Sequence, residues 1–439
     1  MSPMFRSLAN RNYRLFATGQ VISLSGTWAQ RVAQDWLVLL IVPKEQAAVA
    51  LGIATALQFL PMLLFGLYGG VLADRYDKRR LLIGAQVAMG LLALVLGVLD
   101  LAGVVQLWHV YLLAFGLGLA SVVDTPARQS FVSDLVGTDD LPNAVSLNSA
   151  TFNSARIVGP ALAGLAIAGV GTGWVFIVNA LSYVAVLAGL LRMRPAEFWP
   201  SPRQPRGRGQ LREGVRHVRE RPALYVPILL VFMIGTFGLN FQQTLALIAK
   251  QTFETGAGSF GLLTSCLALG SLFGALASAR RKGPPRQSTM LLAALAFGLL
   301  EVLDGLAPSF LVLALLLIPT GFAVLTFTTT SNSLLQLGCD PALRGRVMSI
   351  YVLVFLGGTP VGAPLIGLLA QTWGPRSSLL IGGTICALSA VAAAVLLTRK
   401  SPDLPGLSET LATRRRPREP AHPGQGRSRR AARERLHRG

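Results

Sequence analysis

Apolar residues gather into runs of near-spanning length at 13–41, 47–73, 81–103, 107–127, 144–169 and 173–192, and again at 223–249, 258–279, 288–307, 309–334, 347–372 and 376–398. A helix needs about 20 predominantly apolar residues to cross a hydrocarbon core, so each run predicts one transmembrane helix. The expected fold is an all-α membrane protein of twelve transmembrane helices in two six-helix bundles. An Arg- and Pro-rich stretch separates the first six runs from the last six, and a basic segment follows the twelfth. This predicts an N-terminal bundle over 1–192, a cytoplasmic basic linker over 193–222, a C-terminal bundle over 223–398 and a disordered basic cytoplasmic tail over 399–439. Within the linker, Leu211, Val215 and Val218 recur at helical spacing with Arg212, Arg216 and Arg219 on another face, which predicts a short interfacial helix.

The halves also repeat in register. Gly70-Val71-Leu72-Ala73-Asp74 closes the second run, and Gly274-Ala275-Leu276-Ala277-Ser278 closes the eighth, 204 positions later. Pro160 in the fifth run and Pro364 in the eleventh are the same distance apart, followed by Gly164 and Gly367. Matching offsets predict duplicated halves.

Polar residues inside the runs are costly in hydrocarbon, so they mark faces turned to protein or water. In the first run Gln20, Ser23, Thr27, Arg31 and Gln34 step by three or four and share one helical stripe, with Asp35 at its edge. Comparable clusters are Ser121, Asp124 and Thr125 in the fourth run, Asn240, Gln243 and Thr244 in the seventh, and Thr326, Thr329, Thr330 and Ser333 in the tenth. Every third helix is the polar one, which predicts a central aqueous cavity lined by the first, fourth, seventh and tenth. Interhelical hydrogen bonding uses the same residue types, but packing alone explains neither the period of three nor the charges.

Arg31, Asp35 and Arg156 are the clearest charges away from run ends. Arg31 and Asp35 lie one turn apart and can pair, which lowers the cost of inserting both. That pair reads either as a static structural contact or as a proton-coupling site with Asp35 as the carrier, Asp124 and Arg156 being further candidates. Glu301 and Asp304, near an outer end, are expected to be solvated. None of His109, His217, His422 and His437 lies at a run centre, which argues against a histidine proton relay.

Composition narrows the function. Only 14% of the residues are charged and 52% are hydrophobic, against about 25% charged in soluble domains. The net charge of +20 could suggest nucleic acid, but it follows topology instead. With a cytoplasmic N-terminus, Lys44, Lys250 and Arg376 are the basic residues left in outward loops, and 35 of the 40 fall inside. The positive-inside rule then places both termini in the cytoplasm. No aromatic residues interleave the tail arginines, so linker and tail are read as contacts for anionic lipid and not for nucleic acid. Cys266, Cys339 and Cys386 are scattered and odd in number, which indicates neither a disulfide framework nor a metal site. The chain has no Gly-Lys dipeptide, hence no P-loop to cradle a nucleotide, and transport would be gradient-driven without a cofactor. No nucleophile elbow or HExxH pattern supports an enzyme. The expected partners are a small-molecule substrate, protons and lipid, and the chain is read as a monomer.

The segment Gly70 to Arg80, GVLADRYDKRR, resembles the loop-2/3 signature of the major facilitator superfamily, G-x-x-x-D-R-x-G-R-R, with Asp77 where the signature has its later glycine. The resemblance implies that Gly70 permits close helix contact and that Asp74, Arg75, Arg79 and Arg80 latch against the eleventh helix. An aspartate there would face the positive helix terminus near Arg344, Gly345 and Arg346. Arg156, Gly159, Pro160 and Gly164 partly resemble the antiporter motif of the fifth helix, with Ser146, Ala155 and Ala163 at positions where it has glycine. Segments at 5–16, 20–36, 124–129, 143–148 and 344–347 are similar to the enterobactin-exporter and macrolide-efflux branch of that superfamily. The resemblance implies export of an amphipathic small molecule, of drug or siderophore class, in exchange for protons across a bacterial cytoplasmic membrane. A proton-coupled importer on the same fold and a non-transporting membrane receptor or scaffold remain open on the residues alone.

Overall fold

A computed structural model describes residues 3–137, 139–199, 210–281, 283, 285–340 and 343–400. The expectations for the basic tail lie outside the described residues. In the first half the helices are α1 Arg11–Ile41, α2 Ala47–Arg75, α3 Lys78–Leu101, α4 Leu107–Leu135, α5 Leu141–Val170 and α6 Thr172–Arg192. The linker helix is α7 Gln210–Glu220. The second half holds α8 Pro222–Phe237, α9 Phe241–Leu247, α10 Ala257–Arg280, α11 Gln287–Leu306, α12 Phe310–Gly338, α13 Arg344–Trp373 and α14 Pro375–Lys400. Among the described residues eleven helical segments are long and apolar enough to cross a bilayer, with α8 and α9 counted as one. At 31 residues α1 has the length as well, but its polar stripe lowers its apolarity.

The seventh crossing is broken where the sequence predicts one continuous run. A methyl group on Gly238 would lie 2.6 Å from the Phe297 ring and 2.9 Å from Cys386 Sγ, so glycine lets the chain pass close to α11 and α14 there. Asn240 then turns back, its Nδ2 donating to the Thr236 carbonyl at 2.7 Å. A freed backbone group is thereby satisfied without water. Beyond α9 the segment ends in a π-helical turn, Ile248–Thr252.

Both halves use one packing scheme. In the first, α1 packs on α5 and α6, α2 on α4, and α3 on α4 and α6. In the second, α8 packs on α13 and α14, α10 on α12, and α11 on α12 and α14. Each pair maps onto its counterpart six crossings later, as the duplicated register requires. The halves meet through two equivalent pairs, α2 with α13 and α5 with α10.

Small residues set how close these pairs come. A methyl on Gly69 would lie 2.0 Å from the Val122 carbonyl oxygen, so α2 and α4 touch backbone to backbone. Gly270 does the same for α10 against Ile318 of α12. Without a strong hydrophobic drive between helices in lipid, van der Waals contact of this kind carries much of the association. The linker helix packs on α13, with Val218 buried and Val215 exposed. It is tied to the end of α12 by Arg221 Nη2, 3.2 Å from Asp340 Oδ2.

Candidate functional site

The halves are joined at one end and separated at the other. At the joined end, a methyl on Gly52 of α2 would stand 2.6 Å from the Ala363 carbonyl of α13, and one on Gly367 of α13 would stand 2.5 Å from the Ala48 carbonyl of α2. Gly164 of α5 and Gly261 of α10 approach closely too, where a methyl on Gly261 would stand 2.5 Å from the Pro160 carbonyl. Polar bridges reinforce this end: Gln242 Nε2 donates to Asp35 Oδ2 at 2.7 Å, and Gln251 Nε2 donates to the Lys44 carbonyl at 3.3 Å. Trp36 stacks on Phe260, with Lys250 Nζ 5.2 Å from the Trp36 ring centre.

Toward the opposite ends of α2 and α13 the same two helices enclose a cavity of about 1830 Å³. Its lining runs from Thr27, Trp28 and Arg31 on α1 to Asp74, Asp77 and Arg79 around the α2–α3 turn. Ser121, Asp124 and Arg128 of α4, Asn148 and Phe152 of α5, and Arg346 and Phe355 of α13 complete it.

Three charged residues in and beside it differ in environment. Asp124, 3% exposed, accepts from Gln86 Nε2 at 2.7 Å and lies 3.1 Å from Arg128 Nε. Arg128 Nη1 in turn donates to Gln20 Oε1 at 3.4 Å, which connects α3, α4 and α1. Asp35, 4% exposed, is bound by Gln242 and lies outside the cavity lining. Arg31 stands with its guanidinium carbon 4.7 Å from the Trp28 ring centre and 5.5 Å from that of Phe59.

The pairing expected of Arg31 and Asp35 is absent: among the described residues no ion pair joins them. Helix polarity supplies the reason. A carboxylate placed four residues before its cation pairs better than one placed four after it. Asp124–Arg128 has the favourable order and pairs, whereas Arg31–Asp35 has the reverse: Asp35 accepts from Gln242 and Arg31 lies against the Trp28 and Phe59 rings.

The cavity brings together Thr27, Arg31, Ser121, Asp124 and Thr125 of the predicted polar helices, but not those of the seventh and tenth crossings. Gln20, Ser23 and Gln34 are buried outside its lining. Gln243 donates to the Ala363 carbonyl at 3.0 Å and ties α9 to α13. Thr329 shares a hydrogen bond with Ser278 at 3.1 Å, and Thr330 receives one from Arg281 at 3.2 Å, so both hold α12 to the end of α10. Thr326 and Asn240 are buried.

The 70–80 segment lines the cavity mouth, but the close approach expected at Gly70 is made by Gly69; a methyl on Gly70 would meet nothing within 4 Å. Asp77, at the signature's glycine position, is the N-cap of α3 and accepts from the Arg80 amide at 2.8 Å. Arg79 donates to the carbonyls of Leu190 and Leu191 at the end of α6. Asp74 and Arg346 line the same mouth, whereas Arg75, Arg80 and Arg344 are exposed. Gly159 packs on α1, where a methyl would stand 2.6 Å from Trp28 Cβ, and Arg156, three residues earlier, has its Nε and Nη2 enclosed without acceptors. Glu301 and Asp304, expected to be solvated, are each 2% exposed between α11, α12 and α14, with Thr320 Oγ1 donating to Asp304 at 2.9 Å.

Sequence reasoning missed Gln242, Arg128, Gln86 and the aromatic flank of Trp28 and Phe59. Arg128 carried a usable signal, four residues after a buried aspartate. Gln242 carried none, because its neighbour Gln243 has the same chemistry and only the helix break decides which of them faces α1.

The sequence pattern of the transmembrane secretion effectors matches residues 2–418. Macrolide efflux protein A of Streptococcus pyogenes is 23% identical over 389 residues, 85% of this chain and 92% of that protein. The enterobactin exporter EntS of Escherichia coli is 26% identical over 318 residues, 72% of this chain and 75% of that one. Among solved structures, an inward-facing, unoccupied bacterial homolog of the human lysosomal transporter Spinster superposes with a TM-score of 0.71 at 15% identity, covering 90% of this chain and 97% of that one.

Proposed function

The chain belongs to the transmembrane secretion effectors, a family of major facilitator transporters, and from that premise we propose that it exports amphipathic small molecules in exchange for protons by alternating access. The observation that carries the reading is the asymmetry of the halves: α2 and α13 touch at one end and enclose a cavity at the other. A rigid-body rocking of the bundle over 1–192 against that over 223–398 would exchange the two ends and carry the cavity's contents across.

In this reading both termini are cytoplasmic, the cavity faces the cytoplasm, and the protein is a monomer of the bacterial inner membrane with its basic linker and tail against anionic lipid. Asp35 is the proton-sensitive member of the outer gate. Ionised, it holds Gln242 across the two halves at 2.7 Å; once protonated it binds an amide more weakly, because a hydrogen bond to a charged group is worth roughly twice a neutral one. Proton entry from outside would thus favour release of the gate, and substrate and proton would compete for alternate conformations. Asp74 and the start of α13, which share the cavity mouth, form the inner latch.

The test begins with a susceptibility and efflux screen over antibiotics, dyes and siderophores in a pump-deficient host, which identifies a substrate. Asp35→Asn should then abolish uphill export of that substrate while leaving its binding within a few-fold of wild type. If this variant still exports uphill, with export collapsed by an uncoupler, Asp35 has no coupling role and attention moves to Asp124.

A further inference from the structure

The reading of the cavity as a substrate site leaves its chemistry unassigned, and one side chain constrains it. Nine charged residues line the cavity: Arg31, Lys78, Arg79, Arg128 and Arg346 against Asp74, Asp77, Asp124 and Asp134. Near the mouth and on α4 the charges are matched, Lys78 with Asp134 at 2.7 Å and Arg128 with Asp124 at 3.1 Å. Arg79 spends its donors on backbone carbonyls. Arg31 differs: among the described residues it has neither an ion pair nor a hydrogen bond, and its Nε is enclosed without an acceptor.

The surroundings hold that guanidinium in place without neutralising it. Trp28 and Phe59 flank it, and Trp28 is itself fixed by the close approach of Gly159 and an edge-to-face contact with Phe152 at 5.8 Å. Ring faces attract a cation but leave its N–H donors unfilled. Asp35, the carboxylate nearest in sequence, is turned to Gln242 in the other half. A half-buried cation whose donors have no acceptor is a position where an incoming anion gains most.

We propose that Arg31 is the anion-binding point of the cavity, and that the transported class is the amphipathic anion: an aromatic or apolar framework bearing a carboxylate, sulfonate or phenolate. The acidic group takes the free guanidinium donors, and the framework lies on Trp28, Phe59 and Phe152. Because Arg31 sits at the deep end of the lining and the matched pairs lie toward the mouth, the anion is drawn into the cavity past charges that cancel.

Two xanthene dyes of similar framework and opposite charge test this on the full chain in lipid nanodiscs. Fluorescein, an anion at pH 7.5, and rhodamine 123, a cation, are titrated by fluorescence anisotropy. Wild type should bind fluorescein more tightly by about tenfold or more, as expected for hydrogen bonds to a charged group. Arg31→Gln should erase that preference while rhodamine 123 still binds, which also shows that the variant is folded, and Arg31→Lys should restore part of it. Equal affinities, a preference for rhodamine 123, or a preference untouched by Arg31→Gln would overturn the anion proposal and leave export standing. Binding of neither dye above empty nanodiscs would overturn both the proposal and the reading of the cavity as a substrate site.

Discussion

Single residues decide how closely the helices approach, and not always the ones their motifs suggest. Gly69 and Gly70 are adjacent, yet only at Gly69 would a methyl strike the backbone of α4, while Gly70 lines open cavity. Gly69→Ala should therefore lower stability by about 1–3 kcal/mol, the cost of overpacking a close contact, and Gly70→Ala should stay within about 0.5 kcal/mol. Thermal unfolding of the purified variants in detergent reads the difference; equal midpoints would mean that α2 and α4 do not depend on this approach. The same scale explains what the sequence made legible. The stripe through Thr27 and Arg31, and the cluster of Ser121, Asp124 and Thr125, follow from helical spacing alone, and these five residues meet at one cavity. The Arg31–Asp35 pair did not form because spacing locates neighbours on a helix but not their polarity or their rivals in another helix. Glu301 and Asp304 looked solvated because distance along a run says nothing of what covers its end; α12 and α14 do.

Helices carry the next level of the account. Twelve apolar runs predict twelve crossings because the bilayer fixes their length and backbone satisfaction forces them to be helical. The break between α8 and α9 is not legible in the sequence because Gly238 and Asn240 occur in an apolar context that also suits a continuous helix. The period of three polar helices was legible, yet the seventh and tenth crossings spend that polarity on contacts with α13 and α10. Polarity on a membrane helix marks a face turned from lipid, and that face can meet protein as readily as water. At the cavity mouth the α2–α3 turn and the start of α13 converge, with Asp74 and Arg346 on a common wall. Asp74→Asn should lower turnover severalfold while changing substrate affinity little, because it alters the balance of conformations and not the deep cavity. Initial export rates and equilibrium binding of the same preparation separate the two effects, and unchanged turnover in a well-expressed variant would reduce the segment to a topology signal.

For the whole molecule, the duplicated register becomes a duplicated packing scheme, and the two equivalent contacts α2–α13 and α5–α10 form the seam between halves. In the proposed rocking, this seam would part where glycines lie against the opposite backbone and where Trp36 stacks on Phe260. Gradient-driven exchange is the claim on which the account turns. Its most direct measurement uses purified wild-type protein in sealed liposomes, loaded at acidic pH and diluted into a more alkaline buffer containing the substrate found by the efflux screen. An antiporter accumulates that substrate against its gradient as protons leave, whichever way each molecule is inserted, and an uncoupler abolishes the accumulation. Accumulation only under the opposite gradient, with the lumen alkaline, would contradict exchange and make the protein a symporter on the same fold.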